Sequence, residues 1–156
     1  TFKDQDVDVV AGPALGGIIL SQWVAFHLSE IKGKPILGIY AEKDETGNQV
    51  FRRGYDALIK GKKVLVVEDL TTTGGSVKKV VDQVKAAGGE VVAVCVMVNR
   101  DPEHVTEVEV GAPLVSVGVL RAEAFDEAGC PLCKEKVPIN TTVGHGKKYL
   151  EAKAKK

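Results

Sequence analysis

The sequence predicts an α/β fold with a mostly parallel central sheet flanked by helices. Three observations predict it. Short apolar runs of strand length alternate with segments whose apolar residues recur at helical spacing. One run, Val64-Leu65-Val66-Val67, is apolar on both faces, as expected of a central parallel strand covered by helices. The segments follow the order strand, helix, strand, strand, helix, strand, the order of a parallel sheet with crossover helices.

The first run, Asp6-Val7-Asp8-Val9-Val10-Ala11, stops at Gly12-Pro13 and reads as a strand entering a turn. Over 16–28 the residues Ile19, Leu20, Trp23, Val24, His27 and Leu28 recur at three- and four-residue steps. A helix follows, with these on its apolar face and His27 packed among them. Gly33-Lys34-Pro35 breaks it, and Ile36-Leu37-Gly38-Ile39-Tyr40-Ala41 is a second strand. Residues 64–67 are the third. After the turn at 71–76 comes a clear amphipathic helix. Val77, Val80, Val81, Val84 and Ala87 share one face, and Lys78, Lys79, Asp82, Gln83 and Lys85 the other. Gly88-Gly89 ends it, since glycine accepts the left-handed conformation of a helix C-cap. Residues 91–98 form a fourth, buried strand, in which Cys95 acts as a small hydrophobe, and 114–119 a fifth.

Two stretches break the alternation. Residues 42–61 are long and polar, with a hairpin-type turn at Gly47-Asn48, and are expected to be a flexible hairpin reaching outward. Residues 130–148 have no periodic pattern and read as part of a surface appendix over 126–156, whose Lys/Ala tail at 152–156 is expected to fray. There is no internal repeat. One domain over 1–156 is expected.

Composition narrows the function. The chain has 156 residues, 21 Lys+Arg against 21 Asp+Glu, and 44% apolar residues. A zero net charge argues against nucleic acid as a partner, because non-specific binding needs a net basic face. No apolar run approaches the roughly 20 residues that span a bilayer, so no membrane partner is expected. The N-terminus has no signal-peptide core, and Thr1 where an initiator Met belongs points to a trimmed or partial chain. Three cysteines are too few for a disulfide scaffold. A cytoplasmic location is expected.

The chemistry concentrates in Glu68-Asp69-Leu70-Thr71-Thr72-Thr73-Gly74-Gly75-Ser76. Two carboxylates stand at the C-terminal end of a buried parallel strand, the edge where open α/β sheets bind ligands. The loop after them is rich in hydroxyls and glycine and opens into a helix. Its backbone N–H groups, helped by the helix N-terminus, make a cradle for a phosphate. The hydroxyls of Thr72, Thr73 and Ser76 add hydrogen bonds. Carboxylates beside a phosphate are better placed to accept hydrogen bonds from sugar hydroxyls, or to act through magnesium. A nucleoside-triphosphate loop would need Gly-Lys-Ser/Thr, and this loop has no lysine. A dinucleotide fingerprint needs G-x-G-x-x-G, whose spacing Gly12-Pro13-Ala14-Leu15-Gly16-Gly17 lacks.

Residues 66–76 resemble the phosphoribosyl-pyrophosphate motif of type I phosphoribosyltransferases, and more narrowly its orotate phosphoribosyltransferase form. Asp8 through Gly17 resembles the family's pyrophosphate loop, and Tyr40-Ala41-Glu42-Lys43 through Tyr55 its catalytic hairpin. Val98-Asn99-Arg100-Asp101 resembles the strand end whose arginine binds the orotate carboxylate. The resemblance implies transfer of a phosphoribosyl group from phosphoribosyl pyrophosphate to orotate, giving orotidine 5′-monophosphate and pyrophosphate. It implies a 5′-phosphate on Thr72, Thr73, Gly74, Gly75 and Ser76, with Leu70 and Thr71 in the same binding loop. It implies Glu68 and Asp69 on the ribose hydroxyls, and pyrophosphate against Ala14, Leu15, Gly16 and Gly17. Cations come from Lys43, Arg52 or Arg53, and Lys43 and Asp69 are the expected catalytic pair. Mg2+ bridges pyrophosphate and ribose oxygens, held mainly through the substrate. A homodimer with shared active sites is implied too.

Other readings stay open. The substrate base could be a purine, or the chain could be a non-catalytic sensor of phosphoribosyl pyrophosphate or a nucleotide. Arg100 could simply pair with Asp101 or Glu103. In the family, a longer segment precedes the strand matching Asp8–Ala11 and forms a hood over the base. Seven residues precede it here, so either the hood is lost or the chain is a fragment. Cys130-Pro131-Leu132-Cys133 is half a zinc site at most, with His145 the nearest further ligand in sequence. The leading reading of that pair is a tight turn with two free thiols.

Overall fold

The computed structural model describes residues 1–123 and 125–154. One sheet holds six strands: β1 (Val9–Pro13), β2 (Leu37–Lys43), β3 (Gln49–Val50), β4 (Lys63–Thr71), β5 (Glu90–Asn99) and β6 (Leu114–Val119). The strands lie in the order β3-β2-β1-β4-β5-β6, and every neighbouring pair is parallel except β2 with β3. Helices α1 (Gly16–Lys32), α2 (Tyr55–Ile59), α3 (Gly75–Ala86) and α4 (Glu107–Val110) connect them. Residue contacts divide the chain into Thr1–Ala122, which carries all of these, and Glu123–Lys156. The second unit holds α5 (Pro131–Lys134) and α6 (Gly146–Ala154). The expected Lys/Ala tail is described only to residue 154, where it ends α6; its last two residues lie outside the described residues. No helix among the described residues is long and apolar enough to cross a membrane.

The two faces of the sheet follow from strand alternation. Val9, Ala11, Val64, Val66, Val94 and Val96 pack with Val77, Val80, Val81 and Val84 of α3. Val10, Leu65, Val67 and Ala93 pack with Ala25 and Leu28 of α1. The α3 stripe is therefore the one its periodicity predicts. The stripe of α1 is so only in part: Leu28 is buried and Leu20 and Val24 pack on this core, but the rest differs. Gly17, Ser21, Ala25 and Leu28 are buried, while Ile19, Trp23 and His27 are exposed. Small residues let the helix approach β1 closely, and the larger ones move to its flanks. His27, expected in the core, instead stacks on Trp23 with ring centroids 5.7 Å apart.

The hairpin also differs from expectation. Asp44 organises its tip by accepting the N–H groups of Thr46 and Asn48 at 2.9 and 2.8 Å. It lies back on its own chain, where Lys79 of α3 donates to the Gly47 carbonyl at 2.7 Å. Gln49 and Ile59 are buried, and Phe51 and Tyr55 pack against the core. The apolar residues interleaved with its charges supply that anchorage, and the five-residue α2 is formed there too.

Candidate active site

Strands β1 and β4 are neighbours, with Val9, Val10 and Ala11 opposite Val64, Leu65 and Val66. From β1 the chain crosses outward to β2, and from β4 it crosses the other way to β5. Their C-terminal ends therefore flank a topological switch point, the place where an open parallel sheet leaves a crevice. Both glycine-rich loops of the sequence emerge there.

The first loop joins β1 to α1. A Cβ on Gly12 would lie 2.6 Å from the Gly17 carbonyl oxygen, so the strand and the helix start touch through bare backbone. The Ala14–Leu15 peptide bond is cis. Ala14 donates to the Ala41 carbonyl at 2.8 Å, which fixes the loop to β2. Leu15 projects into solvent.

The second loop begins inside β4, whose pairing with β5 continues to Thr71 opposite Asn99, beyond the end at Val67 that hydropathy suggests. Glu68 is buried and Asp69 exposed. Burial pushes the Glu68 carboxyl up to about 8, and its hydrogen bond with the Asp69 side chain adds to the rise. Burial thus favours the protonated form of Glu68. Asp69 packs against Gly16, where a Cβ would overlap its carboxylate. Thr71 is buried, and its Oγ1 accepts the Gly74 N–H at 3.0 Å. That bond and the left-handed Gly74 (φ 74°) turn the chain into α3. The exposed Thr72, Thr73 and Ser76 are left facing solvent. Glu68, Leu70 and residues 71–77 line a small polar cavity of about 50 Å³. The first N–H groups of α3 have no partner within the helix, so the cavity suits an anion.

Arg100 follows β5 and donates its backbone N–H to the Thr71 carbonyl at 2.9 Å, which sets it beside this loop. Its two possible carboxylate partners are engaged elsewhere. Asp101 holds His104 at 2.9 Å, and Glu103 lies 3.8 Å from Arg121. Sequence reasoning does not single out Asn99, which is buried, donates to the Val105 carbonyl at 3.1 Å and accepts the Asp101 N–H at 3.0 Å. A polar residue closing an otherwise apolar strand is the signal that could have found it.

The hairpin cations stand apart from this cluster. Arg53 and Arg52 both reach Glu42, at 2.8 and 3.6 Å. Lys43 is exposed at the end of β2, opposite Gln49. Among the described residues none of the three is hydrogen-bonded or ion-paired to a side chain of residues 68–76.

Residues 1–111 match the family model described as the phosphoribosyl transferase domain. The orotate phosphoribosyltransferase of Caldicellulosiruptor bescii is 44% identical over 138 residues, which are 88% of this chain and 67% of that protein. That of Thermotoga maritima is 40% identical over 148 residues, 94% of this chain and 73% of that one. The chain thus spans about two thirds to three quarters of the length of these curated relatives. Among solved structures, Mycobacterium tuberculosis orotate phosphoribosyltransferase in complex with 5-phospho-α-D-ribosyl 1-diphosphate superposes with a TM-score of 0.55 at 33% identity. That alignment covers 76% of this chain and 66% of that one. The paired loops at the switch point, the family match and these relatives agree: the chain belongs to the phosphoribosyl transferase domain family, in its orotate phosphoribosyltransferase group.

Proposed function

We propose that this chain transfers the phosphoribosyl group of phosphoribosyl pyrophosphate to orotate, forming orotidine 5′-monophosphate and releasing pyrophosphate. The observation that carries this reading is the contact of Asp69 with Gly16, which joins two anion-scale backbone loops at adjacent strand ends. A substrate with a phosphate at one end and a pyrophosphate at the other, separated by a ribose, matches such a pair. The 5′-phosphate occupies residues 72–76, and the pyrophosphate lies along Ala14–Gly17. Asp69, between them, accepts hydrogen bonds from the ribose hydroxyls. Glu68 keeps its proton and donates rather than repels.

As the bond from C1′ to pyrophosphate breaks and the bond to the base nitrogen forms, positive charge gathers on the ribose and negative charge on the leaving group. Fixed N–H dipoles and nearby cations stabilise the second. Lys43, Arg52 and Arg53 supply those cations once the arginines exchange Glu42 for pyrophosphate, and the hairpin then excludes water. Arg100, with no carboxylate partner of its own among the described residues, offers a bidentate fork to the orotate carboxylate.

Magnesium fits the donor chemistry. Asp69 presents an exposed carboxylate, while no three His, Cys, Asp or Glu side chains cluster as a metal cage among the described residues. The ion would be held mainly by substrate oxygens with Asp69 at hand, and when bound it neutralises charge on the pyrophosphate. We further propose a homodimer with shared sites. The apolar stripe Leu15, Ile19, Trp23 and Phe26, exposed along the start and outer side of α1, supports the pairing of two chains.

The test is pyrophosphate release from phosphoribosyl pyrophosphate with a panel of pyrimidine and purine bases. Release that requires orotate is expected. Release with a purine alone, or substrate binding without any turnover, would overturn the assignment.

A further inference from the structure

The second unit holds a group of side chains that phosphoribosyl transfer does not use. Cys130 immediately precedes the single helical turn α5, and its Sγ accepts the backbone N–H of Cys133 at 3.4 Å. The tight turn with two free thiols that the sequence leads to is a single turn of helix here. Cys133 is exposed and Cys130 half-buried. Both line a largely apolar cavity of about 320 Å³ with Phe125, Ile139, His145 and Tyr149. Among the described residues no group of three metal-ligating side chains forms around the pair.

We propose that Cys130 and Cys133 are a thiol–disulfide exchange site, Cys130 attacking and Cys133 resolving, whose substrates are small disulfides bearing an apolar or aromatic arm. The asymmetry of the pair sets the order. Cys130 receives the Cys133 N–H and a hydrogen bond from the Cys133 side chain, with Lys134 nearby, and these hold its thiol below the ordinary range. Cys133, which gives that hydrogen bond, is held above it. The thiolate is the nucleophile, so Cys130 reacts first.

The exchange balances without any further reagent. The Cys130 thiolate attacks one sulfur of the small disulfide, forming a mixed disulfide and expelling a thiolate, which takes the Cys133 proton. The Cys133 thiolate then attacks Cys130 Sγ, closes the intrachain disulfide and expels the second thiol, protonated from solvent. The protein dithiol is oxidised and the small disulfide is reduced to two thiols. The cavity beside the sulfurs accepts the apolar arm during the first step.

The test uses the whole chain and dithiobis(nitrobenzoate), an aromatic disulfide, with Cys95→Ser as the background so that only the pair reports. Wild-type sulfurs at 130 and 133 should release two chromophores per chain, retain none, and lose two hydrogens by mass. Cys133→Ser should release one chromophore at an undiminished rate and retain the probe on Cys130. Cys130→Ser should react at least about tenfold more slowly at neutral pH. Equal rates for the two serine variants, or a pair that ends with two retained probes and no intrachain disulfide, would overturn the proposal. The Cys133→Ser chain keeps the reactive sulfur in place, so a fast Cys130 there separates order of attack from loss of structure.

Discussion

The carboxylate of Asp69 lies against the Cα of Gly16, so the end of β4 and the start of α1 meet with no room for a single methyl group between them. One loop is held in register with the other by this contact. A Gly16→Ala variant must displace Asp69, while α1 itself tolerates alanine well. The expected result is a loss of about a hundredfold in kcat/KM for phosphoribosyl pyrophosphate with little change in thermal stability, since misplacing a site group by about 1 Å costs on that order. Steady-state kinetics beside a melting curve would check it. Wild-type kinetics would mean that Asp69 need not occupy this position.

Glu68 makes stability depend on pH. Its carboxyl stands at about 8 in the folded chain against an ordinary 4.5. Between these values the folded state binds the proton and the unfolded state does not, so stability falls as pH rises. The contribution is whole below the ordinary value, shrinks through the window, and is gone once pH passes the folded value. Urea unfolding at about pH 5 and about pH 8 should show the native chain losing stability across that span. Glu68→Gln, an amide that cannot titrate, should remove much of the slope. An unchanged slope would place the titration elsewhere.

Much of this frame is legible in the sequence, and the illegible parts have physical reasons. Val64–Val67 and the stripe Val77, Val80, Val81 and Val84 announce themselves because β-branched burial coincides with clean periodicity. On α1 the contact face is built from Gly17, Ser21 and Ala25, which carry almost no hydrophobic signal, so periodicity selects the larger neighbours at Ile19 and Trp23 instead. Helices α2 and α4, of five and four residues, are too short to show a period. The motif marks Glu68 and Asp69 as a pair, but only geometry buries one and exposes the other. Sequence alone leaves Asp101 and Glu103 open as partners of Arg100, whereas the fold pairs them with His104 and Arg121.

Arg100→Ala should raise the orotate KM far more than that for phosphoribosyl pyrophosphate. Losing a charge-assisted hydrogen-bonded pair costs about 1.5–3 kcal/mol, or roughly ten- to a hundredfold. Initial rates with each substrate varied in turn would separate the two. An equal loss for both substrates would move Arg100 out of the base pocket.

Shared sites can be read by complementation. Lys43→Ala and Asp69→Asn chains are each expected to be nearly inactive alone. Mixed and allowed to exchange subunits, they form heterodimers in which one site carries both lesions and the other carries neither. Partial recovery of activity is expected. No recovery, with exchange verified by light scattering or mass, would confine each site to a single chain.

Glu42 gives the hairpin a further property. By gathering Arg52 and Arg53 it holds the two guanidinium groups that the proposed function assigns to the leaving pyrophosphate. Solvent screens a pair whose arginines stand this open, so the guanidinium groups are released to a stronger acceptor at little cost. On the proposed reading the Glu42 carboxylate would reclaim them when the product departs, so that binding and release become an exchange between two anions, one of them encoded in the chain itself.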